Sequence, residues 1–192
     1  MPSPRRKPPS APEPPKGFRI ARDLPVGRHP LLAAFPGADR LDVATRLQPD
    51  PVAREKLFDE TCVQVVDQDL WMYVAPWDMP PGARRQWNPV LSPGSDCIVI
   101  GKSHLADSPA IVLFLDIFHE LCHVIQRHGG ANLFAPGSYV KRWTEVDAYR
   151  FVVAEARTLG VSNEFLRDYL RVEWITEAEH RELLDALEVP PA

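Results

Sequence analysis

The run LFLDIFHELCHVIQRHGG, residues 113–130, sets His119 and His123 four apart, with Glu120 directly after the first. On a helix of about 100° per residue the two imidazoles lie roughly 40° apart, one turn from each other. That placement offers two nitrogens to a single small cation. In an H-E-x-x-H zinc site the glutamate does not bind the metal; it takes a proton from the water that the metal acidifies. Glu120 falls at about 100°, beside the pair, in keeping with a base and not a ligand. Phe114, Phe118, Leu121, Val124 and Ile125 occupy the opposite side, so the apolar stripe and the histidine face are distinct. Asp116, at about 60°, is positioned to orient an imidazole N–H from behind.

Two histidines leave a catalytic zinc short of a ligand, because such sites use three protein donors and keep one position for water. One extended zincin pattern takes a histidine six residues after the second; here that residue is Gly129. His128 is one position short and about 180° away, and reads better as a cation at the helix's negative end. The stretch WTEVDAYRFVVAEARTLG, residues 143–160, supplies a better donor. On its wheel Ala148, Tyr149, Val152, Ala156 and Leu159 fall within about 60° of Glu145. A carboxylate on that apolar side is costly unless something pairs with it. Zinc is one such partner; an arginine or a backbone N–H is the alternative. Asp147 lies near 200° with Arg150, Arg157 and Thr158 and should be solvated. The expected metal set is therefore His119, His123 and Glu145, one Zn2+ per chain, with Glu120 as the base. An oxyanion donor is also needed. Tyr139, His128 and Tyr149 are the candidates, Tyr139 on the Gly- and Pro-containing loop 129–142.

These side chains need rigid elements beneath them. Ser108-Pro109 predicts a capped helix start and Gly129-Gly130 a stop, giving a helix of about twenty residues. A second helix is expected from about Trp143 to Leu159, ended by Gly160. Asp50-Pro51 opens a helix to about Glu60, Ser162 opens another, and Thr176 forms a capping box with Glu179. CVQVV (62–66) and LWMYVA (70–75) fit a hairpin across Asp67-Gln68-Asp69, and CIVIG (97–101) a third, buried strand. Residues 76–96 read as a long loop whose Trp77 and Trp87 could line a peptide groove. Residues 18–49, broken by four prolines, read as an irregular lead-in with a short helix near Ala38–Leu47. Strands early and helices late predict an α+β domain over 18–192.

Composition narrows the partners. Seven prolines in the first fifteen residues mark 1–17 as a disordered, polyproline-like tail. A net charge of −4 argues against direct nucleic-acid binding. No stretch is long and apolar enough to span a membrane, and no apolar run follows Arg5-Arg6 as an export signal requires. Cys62, Cys97 and Cys122 are three, without a C-x-x-C pair, which suggests free thiols and a cytoplasmic setting.

IVIGKSHLADSPAIVLFLDIFHELCH, followed by E-x-x-A-x-x-F at Glu145, Ala148 and Phe151, resembles the ImmA/IrrE-type zincin metallopeptidases over roughly residues 55–160. The resemblance implies a minimal zincin fold, a small three-stranded sheet against the two ligand helices, and a protease, with His119, His123 and Glu145 on zinc and Glu120 as base. Several relatives of that kind cleave a helix-turn-helix repressor, so a regulatory protein or peptide is the implied substrate. Two features depart from the family: Cys122 stands where glycine is frequent, as a small buried filler, and FVVAEARTLGVS lacks the leucine-rich, proline-containing ending. No helix-turn-helix or sensor segment is expected. The rival readings are a SprT-like protease acting on DNA-associated proteins and a non-catalytic, zincin-derived binding module.

Overall fold

A computed structural model describes residues 12–75 and 97–191. Its core is a four-stranded sheet in the order β1-β2-β4-β3, formed by Gly27–Pro30, Cys62–Val66, Cys97–Gly101 and Met72–Ala75 for β1, β2, β4 and β3. The two strands buried along their whole length take the centre. β2 and β4 are buried at every position and pair in parallel, while β3 runs antiparallel along β4 and β1 antiparallel along β2. The predicted 62–75 hairpin therefore does not form, because β4 lies between its two arms. Strands hydrophobic on both faces gain most from central positions, and that gain outweighs the short turn between β2 and β3. The fourth strand, β1, is the other correction. GRHP has neither alternation nor β-branched residues, and joins the sheet through its backbone along the exposed edge of β2.

Side chains alternate across the sheet as the pleat requires. Val63, Val65, Ile98, Ile100 and Val74 face the main apolar core, whereas Val66, Val99, Ala75 and Tyr73 form a smaller cluster behind. The parallel register sets Cys62 opposite Cys97, Cα atoms 4.9 Å apart, and the two are joined as a disulfide. The expectation of three free thiols is thus corrected. An odd count without C-x-x-C carries no information on strand register, which is what brings this pair together. Only Cys122 is free.

Around the sheet run α1 (Leu31–Ala34), α2 (Asp42–Leu47), α3 (Pro51–Glu60), α4 (Lys102–Asp107), α5 (Ala110–His128), α6 (Trp143–Thr158), α7 (Asn163–Tyr169) and α8 (Glu177–Ala186). α3 starts as the sequence predicts, with Asp50 accepting from the N–H of Ala53 at 2.7 Å and proline at the first helical turn. Ser162 caps α7, and the Thr176–Glu179 capping box is present at α8. The start of α5 differs. α4 leads straight out of β4, and Ser108 hydrogen-bonds His104 Nδ1 at 2.8 Å instead of capping α5. Gly101 makes the β4–α4 junction: a Cβ there would collide with the carbonyl oxygens of Gln68 and Leu70.

α5 carries the core. Thirteen of its residues are buried, from Ile111 to Val124. Phe114 packs edge-on to Phe18 at 5.1 Å and against Phe118 at 5.0 Å, so the chain from residue 18 onward is tied in. Buried Glu155 on α6 is paired with Arg46 on α2. α7 and α8 add Leu166, Leu170, Leu183 and Leu184 to the same core. Among the described residues no helix is long and apolar enough to cross a membrane. Trp77, Trp87 and the expected 76–96 loop lie outside the described residues.

Candidate metal centre

α5 and α6 pack side by side, and their contact closes over the histidine face. His119 Nε2 and His123 Nε2 stand 3.0 Å apart. Glu145 Oε2, from the first turn of α6, completes a triangle at 3.5 Å from His119 Nε2 and 3.3 Å from His123 Nε2. Tetrahedral zinc with bonds of about 2.0–2.1 Å sets its ligand atoms roughly 3.3 Å apart, so the donor set fits that ion in size and in chemistry. Among the described residues this is the one group of three metal-ligating side chains gathered closely enough to hold an ion. The wheel's choice of Glu145 over Asp147 follows the burial: Glu145 is 7% exposed, and Asp147 faces solvent.

The same wheel separates the histidine face from the core stripe, yet both are buried, His119 and His123 at 6% each. The reason is α6, whose Tyr149 ring packs 4.3 Å from the His119 ring. Burial has electrostatic consequences. It opposes ionisation of Glu145, but the hydrogen bonds from His119 and His123 outweigh it and hold the carboxyl well below its ordinary range. Burial likewise opposes charge on His123, and the Glu145 hydrogen bond with the nearby charges of Glu120 and Glu145 pushes its pKa up to about 9. Glu120 moves the other way from Glu145. Burial raises it, despite the two imidazoles, and so makes it a stronger base than a solvated carboxylate. Among the described residues its Oε2 has no hydrogen-bond partner, a cost of about 1–3 kcal/mol that a purely structural role does not explain.

The groups behind the ligands differ from expectation. Asp116 orients neither His119 nor His123. Its carboxylate oxygens are taken by His104 Nε2 at 2.8 Å and Tyr169 OH at 2.9 Å, brought in by α4 and α7. Gln126 does that work for His123. Its Oε1 accepts from His123 Nδ1 at 2.8 Å, while its amide donates to Thr144 O at 3.0 Å and Asp147 Oδ2 at 3.1 Å, pinning α5 to α6. A carbonyl acceptor on Nδ1 turns Nε2 into the free lone pair that metal requires. Arg142 Nη1 reaches the second oxygen of Glu145 at 3.3 Å. The metal and arginine readings of Glu145 are therefore compatible, one oxygen to each. Gln126 lay within sight, at i+3 from His123 on the same helix; Arg142 and Tyr169 carried no comparable signal.

The oxyanion candidates separate. His128 is exposed and lies by Gln48 and Lys56, away from the triangle. Tyr139 lines the cleft over Glu120, and its hydroxyl is 3.0 Å from that of Tyr149, which stands behind it. Burial raises both phenols well above their ordinary range, so both stay protonated donors. Cys122 is buried and its thiol pushed up by that burial, then by Asp147 and Glu120, which makes it an inert filler.

The cleft that opens onto the triangle has a volume of about 430 Å³ and is bounded by β3, the 133–142 segment and Trp174. Compared with known proteins, the chain matches no family model, no curated protein and no solved structure.

Proposed function

We propose that this chain is a zinc-dependent peptidase of the ImmA/IrrE-type zincin kind, cleaving a protein substrate such as a regulatory protein. The observation that carries the reading is the buried triangle of His119, His123 and Glu145 with Glu120 beside it, its carboxylate raised by burial. A zinc ion in such a site supplies Lewis acidity and an acidified water at neutral pH. The chain's own residues do the rest. Glu120 accepts a proton and returns it to the leaving amine. Tyr139, protonated and on the cleft wall, donates to the oxygen that gains charge. Gln126 and Arg142 hold His123 and Glu145 in their ligating orientations. The reading includes a cytoplasmic setting, whose reducing pool would act against the Cys62–Cys97 disulfide.

The test is zinc per chain together with hydrolysis of a proteome-derived peptide mixture read by mass spectrometry. Wild type should carry close to one zinc and cut peptides; Glu145→Ala should lose zinc, and Glu120→Gln should keep zinc and lose cutting. Little zinc in the wild type after zinc is supplied would sink the proposal. Zinc with no cutting dependent on Glu120 would favour the binding-module alternative.

A further inference from the structure

Two of the large exposed apolar side chains, Phe134 at 45% and Trp174 at 59%, stand at the same cleft as the triangle. Trp174 is held there: Tyr139 packs edge-on to it at 5.7 Å and Trp71 at 6.2 Å. With Leu133 and Met72 these rings make an apolar wall continuous with His119, Glu120, His123 and Glu145. An indole fixed by two aromatic neighbours yet left more than half in water gains from any apolar group laid against it. Among the described residues the mouth is acidic: Asp69 and Glu173 are exposed there, and the one arginine of those residues lining the cleft, Arg142, is engaged by Glu145 at 3.3 Å.

We infer that this cleft selects the substrate: a peptide segment with a large apolar or aromatic side chain, seated against Phe134, Trp174 and Leu133 next to the cleaved bond, and a basic residue beside it facing Asp69 and Glu173. The inference rests on the peptidase reading and names its substrate class. Apolar burial supplies the affinity, and the carboxylates at the mouth disfavour acidic neighbours.

Hydroxamates of single amino acids bind zinc directly and carry a chosen side chain, so they probe the wall without needing turnover. On the zinc-loaded full chain, calorimetry should show phenylalanine hydroxamate binding roughly tenfold or more tightly than glycine hydroxamate. Phe134→Ala and Trp174→Ala, both at exposed positions, should keep full zinc and each remove a large part of that advantage. Lysyl-phenylalanine hydroxamate should bind more tightly than its glutamyl counterpart, with a gap that narrows as salt rises. Equal binding of the phenylalanine and glycine compounds, or an advantage untouched by both substitutions, overturns the inference and leaves the metal centre standing. No hydroxamate binding to zinc-loaded protein overturns the inference and the peptidase reading together. Side-chain preference without Glu120-dependent cutting keeps the recognition of the apolar segment and overturns its place beside a cleaved bond.

Discussion

At the scale of single residues, the centre depends on three buried side chains being held in one protonation state. Metal must displace the proton that Glu145 and Glu120 hold on His123, whose pKa in the metal-free chain is pushed up to about 9. Zinc affinity should therefore rise by roughly tenfold per pH unit between 6 and 8, one proton being released, and level off above about 9. Titration with a competing chelator at several pH values measures this; a flat profile would contradict the raised His123. Without metal the sign reverses. A pKa raised from 6.5 to about 9 contributes stability that is fully present below 6.5 and is lost as pH rises through 9. Glu145, depressed, contributes stability present above its ordinary 4.5 and lost as pH falls below it. The metal-free chain should accordingly be most stable in mildly acidic solution, seen as a maximum in melting temperature between those limits. Gln126→Ala removes the acceptor on His123 Nδ1 and should weaken zinc binding by about 10- to 100-fold while leaving the helical circular dichroism unchanged.

At the scale of elements, the site is the contact between α5 and α6, set on the sheet by the β4–α4 junction. Gly101→Ala drives a methyl into the carbonyls of Gln68 and Leu70 and should cost about 1–3 kcal/mol, read by urea unfolding. An unchanged midpoint would mean the β2–β3 turn yields freely. α5 was the most legible element. Its length follows from a proline before it and two glycines after it, and the structure ends it at His128. α6 likewise runs as read, from Trp143 to Thr158. The strands were legible as segments, and their pairing was not. CVQVV and CIVIG announce burial by composition, but whether β2 pairs with β3 or with β4 depends on which arrangement covers both faces of both central strands. β1 was hidden altogether, since an edge strand held by its backbone imposes almost no pattern on its side chains.

For the molecule as a whole, an ion held by His119, His123 and Glu145 would couple binding to folding. An ion that binds only the folded chain stabilises it by about 4 kcal/mol at a thousand times its dissociation constant. Saturating zinc should raise the melting temperature of wild type clearly and that of Glu145→Ala far less; equal shifts would place the ion elsewhere. The Cys62–Cys97 disulfide, across a separation of 35 residues, should add about 3–4 kcal/mol in the chain-entropy account. Reductant should lower the melting temperature of the oxidised wild type and leave Cys97→Ser unmoved.

His119, Glu120, His123 and Glu145 could be read from the chain alone because helical spacing is a local property: four residues make one turn in any fold, and an acid on an apolar stripe announces a buried partner. The same locality explains the caps at Asp50, Ser162 and Thr176. What required tertiary structure was everything decided by elements far apart in sequence. The strand order came from burial on two faces, and the disulfide from parallel register. Asp116 turned to His104 and Tyr169 because α4 and α7 deliver better partners than its own helix does. The aromatic wall at Trp71, Tyr139 and Trp174 joins three distant segments, and no periodicity within any one of them records that they meet.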